Sequence, residues 1–270
     1  MKRIMTVLLV GMMILTGCGK NEEKPADVKV EDKKEIVVFA AASMTESLEE
    51  IKGKYESENP AIEIIYTFDS SGTLKTQIEE GADVDIFISA AQKQMNALDI
   101  ESDKNEDQLD FIYSESRIDL LKNKVVLAVI EGNEKGLSSF DDLNTDLVEH
   151  IALGNADVPV GQYSEEILGN MGIWDAIQPK VTYGSNVKEV TTWVSEKSVD
   201  CGIVYATDAY SAGLEAVAEA PEGTLKTEVV YPAAILKNSE NPDEAKAFLD
   251  YLQGEDSKGI FESVGFTMAK

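Results

Sequence analysis

The sequence holds only two cysteines, Cys18 and Cys201, and a single histidine, His150. Cys18 sits directly behind an apolar N-terminal run, which leaves Cys201 without a partner. No disulfide framework is therefore available, and a hydrophobic core must hold the fold. One histidine excludes a clustered-histidine metal hydrolase. It also leaves any serine nucleophile without a base beside it, and no Gly-x-Ser-x-Gly turn occurs. Basic residues are scarce too, with 24 Lys and Arg against 50 Asp and Glu and a formal net charge of −26. Nucleic acid and anionic lipid surfaces are poor partners for such a field. No internal repeat is evident.

What is present begins with Met1-Lys2-Arg3, an apolar run over 4–15 too short to span a bilayer comfortably, and Leu15-Thr16-Gly17-Cys18. This stretch resembles a lipoprotein signal peptide. The resemblance implies removal of residues 1–17, lipidation of Cys18 and lipid anchoring at the extracytoplasmic face of the cell membrane. Residues 18–34 then read as the lipidated cysteine and a polar tether without periodicity. Loss of Lys2 and Arg3 with the signal moves the formal charge from −26 to −28, so attachment rests on the lipid and not on charge. With 43% apolar residues in the whole chain, the remaining roughly 235 residues suffice for one large or two medium domains.

Apolar runs alternate with helix-period stretches, the pattern of an α/β protein with largely parallel sheets. Strands are expected at 36–39, 62–66, 84–89, 125–130, 151–153, 202–205 and 229–236, and helices at about 140–150, 208–220, 242–253 and 256–264. Trp174 and Trp193 fall within amphipathic helical stretches and read as packing residues. The organising stretch is Phe39-Ala40-Ala41-Ala42-Ser43-Met44-Thr45-Glu46, a buried strand that shrinks to alanines and opens a helix. Ser43 and Glu46 have the spacing of a capping box, which would gather a serine oxygen and free N–H groups at the positive end of a helix. Such a place suits an anion. Thr67-Phe68-Asp69-Ser70-Ser71-Gly72-Thr73 repeats the arrangement. Two further helix starts follow, at Val158-Pro159-Val160-Gly161, where proline opens the helix, and at Asn186-Val187, where Asn186 and Glu189 form a capping pair.

The blocks Phe39-Ala40-Ala41-Ala42-Ser43, Ser70-Ser71-Gly72-Thr73, Asp85-Ile86-Phe87-Ile88-Ser89-Ala90, Val158-Pro159-Val160-Gly161-Gln162-Tyr163, Gly202-Ile203-Val204-Tyr205, Tyr231-Pro232 and Gly265-Phe266-Thr267 occur in that order. As a set they resemble the molybdate-binding proteins of ABC importers, over nearly all of 36–270. The resemblance implies a type II periplasmic-binding-protein fold, with two α/β lobes joined by a two-stranded hinge and one oxyanion in the cleft. Lobe 1 would comprise 35–122 and 231–270, and lobe 2 would comprise 123–230. It places the ligand shell on Ser43, Ser71, Val160, Val187 and Tyr205: hydroxyl and backbone donors from the serines, backbone N–H from the valines, and the phenolic O–H from Tyr205. It implies molybdate as cargo, tungstate as a second one, no cofactor, and no metal bound as a cation. It further implies a monomer that delivers to an ABC permease with an ATPase behind it.

The chemistry of the marked positions agrees with that class of ligand. A tetrahedral dianion without protons needs donors only, and no basic residue lies inside the marked motifs. Hydrogen phosphate would benefit from an acceptor, so a donor-only shell is also a filter. Asp69 departs from the pattern, since small residues are more usual before the serine pair; it is expected to face solvent or cap a backbone N–H. The acidic segment at 101–110 reads as an inserted surface loop. It lacks the glycine and glutamate of a calcium loop, with Gln108 and Ser114 in their places. The alternatives are another tetrahedral oxyanion such as sulfate and, from other classes, a serine hydrolase or a protein-binding surface lipoprotein.

Overall fold

The computed structural model describes residues 33–269. The expected signal segment, Cys18 as lipidation site and residues 19–32 of the tether lie outside the described residues. From β1 (Lys34–Ala41) the chain passes through one 3-10 turn into α1 (Thr45–Glu58). It continues with β2 (Ile62–Asp69), α2 (Ser71–Glu79), β3 (Ile86–Ile88) and α3 (Gln92–Leu98). β4 (Ile118–Asn123) and β5 (Val125–Val129) are separated by Lys124 alone. β6 (Ile151–Gly154), α4 (Pro159–Asn170), α5 (Trp174–Ile177), β7 (Val181–Gly184), α6 (Val187–Ser195), β8 (Cys201–Tyr205), α7 (Ala206–Ser211) and β9 (Glu215–Glu219) follow. The chain closes with β10 (Val229–Ile235), α8 (Pro242–Leu252), α9 (Glu255–Ser263) and β11 (Thr267–Met268).

These strands form two sheets, and with their helices two α/β lobes. One sheet has the order β11-β4-β10-β3-β1-β2 and the other β7-β6-β8-β5-β9. The centre of the first is parallel (β2, β1, β3), as is β7-β6-β8 in the second, while β10 runs antiparallel to β3 and β4. Strands covered by helices on both faces need apolar side chains on both faces, which is why β5 and β8 are buried along their whole length. Two passages link the sheets, one at Lys124 and one over 220–228. The parallel arrangement aims the carboxyl ends of β1 and β2, and those of β6 and β8, at the space between the sheets, where an open α/β sheet takes its ligand.

Three expectations are corrected. The stretch at 140–150 is a short 3-10 turn over Phe140–Asn144, closed by a true capping box between Ser139 and Asp142. The helix expected over 208–220 ends early, because Gly213 adopts φ +64° and the alanine-rich stretch beyond it pairs with β5 as strand β9. The capping box of Ser43 and Glu46 does not form. Met44 is the N-cap of α1 and makes no side-chain cap, while Ser43 lies in the preceding 3-10 turn and Glu46 points to another partner. The 101–110 segment is largely exposed, as expected of a surface loop. It is pinned by Asn105, whose buried amide bonds to the backbone of Asp99 and Leu109.

Candidate functional site

Strand ends and helix starts from both sheets converge on a narrow cleft with about 10 Å³ of free space. Ala41, Ala42 and Ser43 supply the end of β1, and Asp69, Ser70 and Ser71 the β2–α2 turn. Val158 and Pro159 bring the start of α4, Val187 the start of α6, and Tyr205 the end of β8. Each turn is built by its own local chemistry. Ser70 is the N-cap of α2 and accepts from Thr73 N at 3.1 Å. Pro159 opens α4, where its missing N–H is no loss. Asn186 caps α6 through Glu189 N, and the Glu189 carboxylate returns to Ser185 N at 2.7 Å. Gly161 lets α4 start hard against the preceding loop, since a Cβ there would stand 2.3 Å from Gly154 O. The first N–H groups of a helix lack intrahelical acceptors, so α2, α4 and α6 all direct donors and dipole ends towards this space.

The side chains of the cleft are oriented by buried partners. Ser71 Oγ accepts from Ala90 N at 2.9 Å, which leaves its own proton for another acceptor. Ser43 Oγ lies 2.9 Å from Tyr231 Oη, and Tyr231 Oη receives Asn123 Nδ2 at 3.2 Å. The Tyr205 hydroxyl donates to Ala90 O at 3.1 Å, a bond from one sheet's lobe to the other's. Burial raises Tyr205 and Tyr231 well above the usual phenol range, so both remain neutral hydroxyls. Among the described residues no lysine, arginine or histidine lines the cleft. Asp69 does line it; its carboxylate accepts from Ser70 N at 2.7 Å and so caps a backbone N–H, as expected.

Further contacts hold the lobes together around the cleft. Gly72 N donates to Asp157 O at 3.0 Å, backbone to backbone across the opening. Gln94 Nε2 reaches Gln162 Oε1 at 3.3 Å. Lys188 meets both carboxylate oxygens of Glu46 at 2.8 Å. Behind Lys188 lies Asp208, fully buried, with the ammonium 3.3 Å from Oδ1 but not aligned for a hydrogen bond. Desolvation pushes this carboxyl up to about 7 despite the attraction of Lys188.

Of the five positions marked in the sequence, Ser43, Ser71, Val187 and Tyr205 line the cleft directly. Val160 does not. Its side chain is wholly buried, and it stands one residue behind Pro159 as the second residue of α4, where only its N–H faces the helix start. Several residues around the cleft carry no role in the sequence reading: Tyr231, Ala90 and Gly72, which fall inside marked blocks, and Asn123, Asp157, Lys188 and Asp208. Tyr231 was marked as part of a block without a role, and its 188-residue separation from Ser43 carries no sequence signal. Cys201 is free and buried, and burial pushes its thiol up to about 12. Trp174 and Trp193 are partly buried against the core, as expected of packing residues.

A family model described as bacterial extracellular solute-binding protein matches residues 36–267. A Bacillus subtilis protein, provisionally named an ABC transporter substrate-binding lipoprotein, is 33% identical over 98% of this chain and 97% of its own. The molybdate-binding protein ModA of Haemophilus influenzae is 35% identical over 86% of this chain and 89% of its own. The solved periplasmic molybdate-binding protein of Azotobacter vinelandii superposes with a TM-score of 0.75 at 22% identity, covering 87% of this chain and all of that one. The last likeness establishes the fold.

Proposed function

The chain belongs to the bacterial extracellular solute-binding proteins, not to an enzyme family, and from that premise we propose that it captures molybdate and hands it to an ABC permease and its ATPase. Tungstate, with the same charge and tetrahedral shape, is the second cargo of this reading. Lipid at Cys18 would keep the protein at the outer face of the membrane. The observation that carries the proposal is the convergence of three helix starts, two serine hydroxyls and a neutral tyrosine on one small cleft without a basic side chain. A fully deprotonated oxyanion is satisfied by donors alone, and helix N-termini supply them with favourable dipoles. The molybdate-binding relative from Haemophilus influenzae points to the same cargo.

Within this reading Ser43 and Ser71 donate from their hydroxyls, Val160 and Val187 from their backbone N–H groups, and Tyr205 turns its hydroxyl from Ala90 O to the ion. Ser43 and Ser71 come from one lobe and the other three from its partner lobe, so a bound ion favours the closed arrangement over the open one. The test is thermal unfolding of the protein alone and with molybdate, tungstate, sulfate or phosphate. At about a hundred times its dissociation constant a ligand adds roughly 2.7 kcal/mol, about 5 to 10 °C for a domain of this size. A shift with molybdate and tungstate that shrinks in Tyr205→Phe supports the proposal. A cooperative melt that no oxyanion moves would remove it.

A further inference from the structure

Ser43 is not free to choose its role. Asn123 Oδ1 accepts from Lys124 N at 2.8 Å, which fixes the amide so that Nδ2 faces inward. From there Nδ2 donates to Thr207 Oγ1 at 2.9 Å and to Tyr231 Oη at 3.2 Å. Tyr231 Oη thus has an incoming hydrogen, and its own proton has Ser43 Oγ as acceptor at 2.9 Å. This is the assignment that gives the buried Tyr231 proton an acceptor. Ser43 Oγ, accepting from the tyrosine, cannot also donate to it, and its own proton is turned outward to the cleft it lines. All four side chains are buried, so water does not compete for these bonds, and with Ser43 donating instead the buried Tyr231 proton would lose this acceptor. Asn123 and Tyr231 sit on β4 and β10, which pair in one sheet, while Thr207 belongs to α7 beside the other.

We infer that Tyr231 and Asn123 are positioning residues that lock the Ser43 hydroxyl as a donor and thereby make the cleft selective for oxyanions without protons over hydrogen-bearing ones. The inference rests on the oxyanion-capture reading and adds how that site discriminates. In the intact relay the Ser43 hydroxyl is turned to present its proton to the ion, so a hydrogen phosphate or hydrogen arsenate meets a donor where its own proton needs an acceptor. With Tyr231→Phe the bond that fixes the Ser43 hydroxyl is gone, and it can turn to accept.

The experiment is calorimetric titration of wild type, Tyr231→Phe, Asn123→Ala, Ser43→Ala and the Ser43→Ala/Tyr231→Phe pair with molybdate, sulfate and phosphate. Melting of each ligand-free variant establishes that it folds. Tyr231→Phe is expected to weaken molybdate about threefold to tenfold while phosphate binding holds or improves, so that the molybdate-to-phosphate ratio falls. Asn123→Ala shifts the ratio in the same direction, and serves alone if the phenylalanine variant does not fold. In the Ser43→Ala background the Tyr231 substitution has no further effect, because the relay acts only through Ser43. Equal losses for all three anions, an unchanged ratio, or additive losses in the double variant would overturn the inference. If the wild type takes sulfate and not molybdate, the cargo falls while the relay is judged on sulfate against phosphate; if it takes none of the three, both fall.

Discussion

Asp208 is the residue whose chemistry is least comfortable. Its carboxylate is fully buried behind the cleft, and desolvation outweighs the nearby Lys188, raising it from 3.8 to about 7. In the unfolded chain it titrates near the ordinary carboxylate value, so between about pH 4 and pH 7 the folded state holds more protons than the unfolded one. Stability from this group therefore declines as pH rises through that window and levels off above it. Asp208→Asn removes the charged form altogether. The variant is expected to melt higher than wild type at pH 8, with the gap narrowing towards pH 5; a gap independent of pH would show that the carboxylate is not the source. Cys201, buried with a thiol pushed up to about 12, is expected to resist alkylation at pH 8 in the folded protein and to react once it unfolds.

At the scale of elements, α2 carries a sharp constraint. Gly72 is its second residue and has an ordinary helical backbone, where alanine would be favoured by about 1 kcal/mol. Yet a Cβ there would lie 2.3 Å from Asp157 O and 2.8 Å from Asp157 Cα, both in the other lobe. Gly72→Ala is therefore expected to fold as well as wild type and to close badly. Its ligand-free melting temperature stays level or rises, while the molybdate-induced shift shrinks by half or more. An undiminished shift would mean that the seam is not part of closure.

The same scale explains what could be read from the chain alone. Central strands such as β1, β5 and β8 announce themselves as continuous apolar runs because both their faces are covered. The expected strands omit β4, β7, β9 and β11: the last three are sheet edges, while β4 lies between β11 and β10 and mixes polar with apolar residues (Ile118-Asp119-Leu120-Leu121-Lys122-Asn123), so it shows no continuous apolar run. β9 is largely exposed, with alanines between glutamates, and reads as helix until its pairing with β5 is known. Helix starts were legible because a cap or an opening proline is local. The role of Ser43 was only half legible: its place at a turn follows from Ala40-Ala41-Ala42, but the local partner suggested by spacing, Glu46, loses to Tyr231. Glu46 in turn serves Lys188, 142 residues away.

For the whole molecule, the Glu46–Lys188 contact ties α1 of one lobe to α6 of the other, directly beside Ser43 and Val187. Both side chains are partly exposed, so the pair is worth a modest amount. Glu46→Lys turns it into a repulsion that acts only when the lobes are closed, while adding positive charge near the mouth. Molybdate is therefore expected to leave about twofold to fivefold faster, with association unchanged or quicker for a dianion. Slower association with unchanged dissociation, read by stopped-flow, would contradict a closing contact.

The account stands or falls on the cleft as a donor-only site. Calorimetric titration of the wild-type protein with molybdate, repeated in the presence of excess phosphate, puts that to the test most directly. The account predicts saturation at one ion per chain, a weaker response to sulfate, and no displacement by phosphate. Absence of any molybdate heat in a folded sample, or displacement by phosphate at similar concentration, would contradict it.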